Sequence, residues 1–495
     1  MEAISTRVGN ALLGTEASAP TDLDFERIVH ITDSPCECDE DSLFFLTQRA
    51  DGSKRELALP CHPYAIVCDD EDAKRMTGER VIITDNARRA LSRACYNACG
   101  LEGSRMRLIA VTGTNGKTTV AEMITHILRF TGADVGYIGT GTIRINETAL
   151  CDEVYSMTTP DPVRLYTTLR EMDSFGCQYA VIEASSHAIA LSKLSPLKFE
   201  VGLFTNLSSE HRDFHPTMDD YFATKLSLFD SCKYGIFNLD CPYSSRAHSL
   251  AKCNKESIGI ISRADVYATD VEMRGLRGSS FFYREDGLIF GVDLQLAGAF
   301  NVYNALMALR CCIMLGIKPC EAKRAINALE GVGGRMERLD GDINVIIDYA
   351  HTPFAVENIL KTLYSHKRAR QSLYVVIGCG GERDRTKRAQ IGRIAEKYAR
   401  KIYLTEDNSR SEPTADIIRD ILSGISDPDA TEVIISRSDA IRTAILHAER
   451  GDTVAILGKG REGYIIRNDG CFPFSDKAEA ISALRLRRRN NENNS

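Results

Sequence analysis

Short apolar runs that stop at a polar group recur along the chain. "RLIAV" (107–111) has the length and content of a buried strand, and residues 117–130 follow with Val120, Met123, Ile124, Ile127 and Leu128 on one helix face. Further strand-like runs end at Glu183 ("YAVIEASSH"), Asn206 ("VGLFTNLSSEH") and Asn238 ("YGIFNLD"), separated by helix-like stretches. Such alternation predicts a mostly parallel, doubly wound sheet. Ligands of these sheets sit beyond the carboxyl ends of the strands, where Glu183 and Asn206 fall. Residues from about 265 to 300 ("VYATDVEM", "SSFFYRE", "LIFGVDLQL") alternate with turns and predict an antiparallel annex. A break comes at "GGRMERLDGD" (333–342), after which "INVIID", "SLYVVIG", "KIYLT", "TEVIIS" and "TVAIL" alternate with helices in a second parallel unit. The first hundred residues ("RIVHI", "SLFFL", "YAIVC", "RVIIT") pattern as a small α/β module. The expected fold is therefore α/β in three domains: 1–103, a small N-terminal module; 104–336, a central parallel-sheet domain; and 337–495, a Rossmann-like C-terminal domain. Two α/β units facing each other would form a cleft.

Composition changes this picture little. A length of 495 residues agrees with about three domains. At 43% hydrophobic and 26% charged, with no apolar run long enough to span a bilayer, no stable membrane association is expected. "MEAISTRVGNALLG" lacks the pattern of a signal peptide, so the 16 cysteines read as reduced thiols of a cytoplasmic protein. Cys36-x-Cys38 and Cys95-x₃-Cys99 have no matching second pair, which argues against a zinc site. A net charge of −7 argues against a nucleic-acid partner. The basic tail "LRLRRRNNENNS" (484–495) reads as a frayed helix end, and a monomer is expected.

"VTGTNGKTTV" (111–120) lies between a strand and a helix. Its glycines let backbone N–H groups curl round phosphates, Lys117 faces the β and γ charge, and Thr118 reaches Mg²⁺. The loop is a variant, with Val111 where the usual pattern begins with glycine. The alternative is a glycine-rich turn without ligand. Glu183 and His211 are candidate metal ligands, although histidine is an unusual partner for Mg²⁺. His211-x₃-His215 also has the spacing of a zinc pair, or of a turn held by hydrogen bonds.

"TGTNGKTTV", "TTPDP" (158–162), "EASSHA" (183–188), "FTNLSSEHRDFH" (204–215), "YFATKLSLF" (221–229), "GAFNVYNALMA" (298–308), "GGRMER" (333–338), "IDYAHTP" (347–353), "GCGGERDRTKR" (378–388), "DNSR" (407–410) and "GKGREGY" (458–464) occur in this order. Together these blocks resemble the Mur ligase family, strongly over roughly 105–465 and loosely before that. The resemblance implies an ATP- and Mg²⁺-dependent amide ligase of peptidoglycan precursor synthesis. In that chemistry a carboxylate attacks the γ-phosphate, and an amine then displaces phosphate from the acyl phosphate. It further implies that Gly113, Thr114, Asn115, Gly116, Lys117, Thr118 and Thr119 cradle the nucleotide, which Asn301, Arg335 and Asp348 meet from the domain interface. Thr118, Glu183, His211 and Lys225 would serve metal, Lys225 as a carbamylated lysine; without its block Lys225 reads as a solvated helix lysine. Lys117, Glu183, His211 and Lys225 form the implied catalytic set.

For the carboxylate donor, a UDP-N-acetylmuramoyl dipeptide, the resemblance implies contacts at Ser34, Thr158, Thr159, Ser185 and Lys193. For the acceptor, a diamino acid and specifically meso-diaminopimelate, it implies Arg383, Asp407, Asn408, Arg410, Gly458 and Glu462. The chain departs from the family pattern at Pro35, Leu191 and Lys193 on the donor side, and at Ser409 and Arg461 on the acceptor side. Two rivals stand beside this reading, the first motivated by Pro35, Leu191 and Lys193. One is a family paralogue joining another amino acid, such as L-lysine, or using another peptide donor. The other is a catalytically silent nucleotide-binding subunit.

Overall fold

The architecture was analysed in a computed structural model, which describes residues 28, 30–47, 59, 61–69, 72, 80–150, 157–211, 214–367 and 371–493, and the backbone of 17–18. The N-terminal module is a five-stranded sheet. Its strands Ser42–Phe45, Ala65–Asp69 and Val81–Thr84 match three predicted runs, and His30–Thr32 overlaps the end of the fourth, "RIVHI", part of which lies outside the described residues. A helix, Ala87–Ala98, leads out of it, capped by Asn86, whose side chain accepts from the Arg89 N–H.

The central domain is one 11-stranded sheet. Arg107–Thr112 lies in its middle between Phe199–Phe204 and Tyr179–Glu183, both parallel to it. The annex is present: Val266–Met273, Ser279–Glu285 and Leu288–Leu294 pair antiparallel, but they continue the parallel sheet rather than forming a separate one. The helix Lys117–Phe130 buries the predicted face, with Val120, Met123, Ile124, Ile127 and Leu128 all fully buried. Each such side chain contributes about 1.5–3 kcal/mol on transfer from water, which anchors the helix and the phosphate-type loop at its start.

The C-terminal sheet has six strands, ordered Glu337–Asp340, Asn344–Asp348, Thr453–Leu457, Leu373–Ile377, Lys401–Leu404 and Thr431–Val433. All five predicted runs occur in it, and the first strand is an added antiparallel edge.

The cores divide differently from the sheets. Leu91 and Ala94 of the N-terminal module share a cluster with Leu165, Tyr166 and Leu169 of the central domain, so those two units are joined by apolar packing. The C-terminal domain packs its sheet on separate clusters. The basic tail is also more ordered than the sequence implied. It lies in a helix, Asp476–Asn493, where Arg487 is buried and donates to Asp342 and to the Ile445 and Ala448 carbonyls. No helix among the described residues is long and apolar enough to cross a membrane.

Candidate active site

The loop after Arg107–Thr112 is braced from the next strand. The Thr114 N–H donates to the Asn206 carbonyl (2.8 Å), the Asn115 N–H donates to Asn206 Oδ1 (3.0 Å), and Thr205 Oγ1 donates to the Asn115 carbonyl (2.7 Å). Gly113 adopts φ 137°, and a Cβ there would lie 2.0 Å from Thr205 Oγ1, so glycine is required for this close approach. Gly116 caps the helix at φ 87° above Asn304, whose amide donates to Asn301 Oδ1 (3.0 Å). Asn301 in turn donates to the Ala297 carbonyl (2.8 Å), and Thr119 is buried behind the loop. This cradle fits a polyphosphate: backbone donors, a helix N-terminus and Lys117 converge on one point.

Two ammonium groups meet there. Lys117 Nζ donates to the Gly113 and Thr114 carbonyls (3.0 and 2.9 Å), and Lys225 Nζ donates to the Gly113 carbonyl (3.0 Å). Lys225 comes from the helix Met218–Ser227, which a reciprocal Thr217–Asp220 cap starts at the angle that sends Lys225 inward. Only 1% of Lys225 is exposed, which excludes the solvated-lysine reading. Burial, then repulsion from Lys117, pushes its pKa well below the ordinary lysine value.

Glu183 is fully buried at the end of its strand. Its Oε2 accepts from Thr118 Oγ1 (2.9 Å), and its Oε1 accepts from Tyr137 (2.6 Å) and the Thr140 N–H (3.2 Å). A hydroxyl and a carboxylate side by side are hard oxygen donors, the kind Mg²⁺ takes. His211 lies nearby at φ 56°, its ring 4.9 Å from that of His187. Burial drives its pKa down to about 3, so it is a neutral imidazole at physiological pH. The zinc-pair reading of His211 and His215 is not supported. The His215 N–H donates to the His211 carbonyl (2.8 Å), which is the turn, and no group of three or more His, Cys, Asp or Glu side chains suited to a metal occurs among the described residues.

Sequence reasoning missed Glu210 and His351. His351 Nε2 sits 2.8 Å from Glu210 Oε1, bringing the C-terminal domain onto the central one. Burial opposes the Glu210 charge, but His211, His351 and Lys117 hold its carboxyl well below the usual range. Both residues lie inside quoted blocks ("SSEH" and "DYAH"), the only signal available. Arg335, at the junction of the two domains, donates to Thr118 Oγ1 (2.8 Å). Asp348 shapes that crossing by accepting from the Met336 and Ala350 N–H groups (both 2.7 Å).

A cleft of about 560 Å³ runs from Lys117 and Lys225 between the domains. Thr158, Thr159, Ser185 and Lys193 line one wall. Thr159 Oγ1 donates to the Glu183 carbonyl (2.7 Å), and Lys193 pairs with Asp161 (2.6 Å). Ser34 is not part of the lining; Asp33 and Thr47 of the N-terminal module are. Arg383, Asp407, Asn408, Arg410, Gly458 and Glu462 line the far end. Arg383 and Arg410 both flank Gly380, where a Cβ would lie 3.3 Å from Arg410 Nη1 and 3.6 Å from Arg383 Cγ, and burial, then repulsion from Arg383, lowers the pKa of Arg410. Arg410 itself adopts φ 53° and donates to the Gly381 carbonyl (2.8 Å).

Asn408 is placed differently from a gripping group. Its amide donates to Glu462 (2.9 Å), and its oxygen accepts from Lys459 (3.0 Å) and the Ile466 N–H (2.9 Å). It therefore orders the pocket wall. Gly458 is needed beside Asp407, whose Oδ2 would lie 2.6 Å from a Cβ. Arg461, read above as an acceptor-side residue, instead turns to the central domain and donates to Glu122 (2.7 Å) and Tyr137 (3.0 Å).

A phosphate-binding loop, a buried carboxylate and amine beside it, and a second α/β domain closing over both define a nucleotide-dependent ligase. The profile of the Mur ligase middle domain matches residues 111–312, and that of the Mur ligase glutamate ligase domain matches 334–460. The chain is 38% identical over 416 residues to UDP-N-acetylmuramoyl-L-alanyl-D-glutamate--2,6-diaminopimelate ligase of Syntrophomonas wolfei, covering 82% of this chain and 83% of that one. It is 39% identical over 468 residues to the ligase of the same name from Aquifex aeolicus, covering 92% and 94%. Among solved structures, a UDP-N-acetylmuramoyl-L-alanyl-D-glutamate--2,6-diaminopimelate ligase superposes with TM-score 0.64 at 27% identity, covering 95% of this chain and 97% of that one. MurF from Acinetobacter baumannii shares the fold at TM-score 0.61 and 16% identity, covering 92% and 95%. This chain belongs to the Mur ligase family, and it is an ATP-dependent ligase. The silent-subunit alternative falls with that membership.

Proposed function

We propose that the protein joins meso-diaminopimelate to the D-glutamyl carboxylate of UDP-N-acetylmuramoyl-L-alanyl-D-glutamate, as the printed names of its relatives describe for them. The observation that carries the acceptor assignment is the Arg383–Arg410 pair, which shares one cleft with Lys117 and Lys225. Two guanidinium groups suit the distal carboxylate of diaminopimelate, and Asp407 and Glu462 suit its ammonium. L-Lysine lacks that carboxylate and would leave the pair without its anion, at a cost of about 1–3 kcal/mol.

The reaction begins with two anions that repel each other, the donor carboxylate and the ATP γ-phosphate. Lys117 stands where that repulsion is greatest, and positioning plus electrostatics supply most of the acceleration. The carboxylate oxygen bonds to the γ-phosphorus, and ADP leaves. The neutral acceptor amine then bonds to the acyl carbon and sheds one proton, and inorganic phosphate leaves with the electron pair of the broken C–O bond and takes up that proton. Thr118 and Glu183, with His211, would hold Mg²⁺, which neutralises charge building on the phosphate oxygens. Burial, then repulsion from Lys117, lowers the Lys225 pKa and so favours the neutral amine that adds CO₂; the carbamate would be anionic and suited to a second Mg²⁺. Nucleotide substrates of this kind favour a cytoplasmic location.

ADP release, assayed over a panel of amino acids with the product weighed by mass spectrometry, tests the assignment. Meso-diaminopimelate should be the fastest acceptor. Faster release with L-lysine would replace it with the paralogue reading.

A further inference from the structure

Arg461 stands between two residues of the acceptor pocket wall and faces the other way. Lys459 and Glu462 hold one another (2.9 Å) and Asn408, whereas Arg461 makes its polar contacts across the domain boundary. One arm of the guanidinium donates to Glu122 (2.7 Å), on the helix that follows the phosphate loop. The other donates to the Tyr137 hydroxyl (3.0 Å) and the Thr140 carbonyl (3.2 Å). Tyr137 and Thr140 are the residues that hold Glu183 Oε1, through the Tyr137 hydroxyl and the Thr140 N–H. Gly139 makes this close packing possible, since a Cβ there would lie 2.2 Å from Glu183 Oε1 and 2.4 Å from the Tyr137 hydroxyl. Donor directions run consistently from Arg461 to Tyr137 to Glu183, so a cationic donor polarises the hydroxyl toward the carboxylate. With Oε1 occupied, Oε2 is presented beside Thr118.

We propose that Arg461 is a positioning residue that couples closure of the C-terminal domain to the orientation of Glu183, so that the magnesium site is completed only when the acceptor pocket is assembled. The inference rests on Glu183 being a magnesium ligand. A plain domain latch would need only the Glu122 contact, which Arg144 also joins, Nη1 donating to Glu122 Oε1 at 3.0 Å. The relay additionally needs the Tyr137 hydroxyl, and that separates the two roles.

The experiment titrates Mn²⁺, read by electron paramagnetic resonance, into full-length protein with a non-hydrolysable ATP analogue. It compares wild type with Arg461→Ala, Tyr137→Phe, the double variant and Glu183→Gln, and follows closure by X-ray scattering. Arg461→Ala and Tyr137→Phe should each weaken Mn²⁺ binding by roughly 10–100-fold, the usual effect of losing a partner behind a metal ligand. The double variant should be little weaker than either single one, because both break the same chain. Tyr137→Phe should close normally, since it keeps the Glu122 contact. Wild-type Mn²⁺ affinity in Tyr137→Phe, or additive losses in the double variant, would reduce Arg461 to a latch and overturn the proposal. If Arg461→Ala does not fold, Tyr137→Phe alone decides. Glu183→Gln binding Mn²⁺ like wild type would instead remove Glu183 from the metal site, a different failure from loss of the relay.

Discussion

A lysine side chain in water is an ammonium at neutral pH, but Lys225 is buried and stands beside the Lys117 ammonium. Those two circumstances favour the neutral amine, which alone can react with CO₂. Lys225→Ala should lower turnover at least about 100-fold, the scale of removing one group that stabilises developing charge. Formate or acetate added to the assay should restore part of it, because a small carboxylate can stand where the carbamate would. A variant as active as wild type would eliminate the carbamate. Arg410 is open to a similar argument. Its planar fork sits beside Arg383, so Arg410→Lys keeps charge but loses bidentate geometry. KM for meso-diaminopimelate should rise about tenfold while KM for ATP stays put, the pattern of lost acceptor binding.

At the scale of elements, the acceptor loop depends on helices that never touch substrate. Arg388, fully buried on the helix Thr386–Tyr398, donates to both Glu412 oxygens (2.7 and 2.8 Å), to Asp420 (2.9 Å) and to the Gly380 carbonyl (3.2 Å). It therefore ties the loop carrying Arg383 to the helix Thr414–Leu422. Hydrogen bonds from Arg388 hold the Glu412 carboxyl at about 2, down from an ordinary value of 4.5. A depressed carboxylate stabilises the fold fully above its unfolded value and loses that contribution as pH falls toward the folded one. Glu412→Gln should thus lower the urea midpoint at pH 7. The gap to wild type should shrink between about pH 4.5 and about 2. A gap independent of pH would show that the ionised pair is not the source.

For the whole molecule, function requires that the C-terminal domain meet the central one. His351 on Glu210 and Arg461 on Glu122 cross that boundary, Arg335 reaches Thr118 from the junction, and each ends beside the phosphate loop or its helix. In this arrangement the C-terminal domain completes the site, as a lid does in a closed enzyme. Glu210→Gln removes the ionised partner of His351, about 1.5–3 kcal/mol for a hydrogen bond to a charged group. It should lower kcat by roughly 10–100-fold with little change in ATP affinity, and scattering should show less compaction with an ATP analogue. Unchanged compaction would place the role of Glu210 elsewhere.

Periodicity made the elements legible: every strand predicted in the C-terminal domain exists, because strand and helix periods depend on local side-chain geometry. The phosphate loop was legible for the same reason, since its glycines and Lys117 act within a few residues of one another. What the linear order could not reveal was which side chains meet across domains. Glu210 and His351 lie 141 positions apart, and Arg461 and Tyr137 lie 324 apart. Arg461 and Asn408 show the limit most clearly. The resemblance placed both on the acceptor side; Asn408 lines the cleft while its amide donates to Glu462, and Arg461 meets Glu122 and Tyr137 of the central domain. Local chemistry chose the residue types. Only packing of one domain against another chose their partners, because hydrogen bonds are short and directional and depend on positions that no spacing rule encodes.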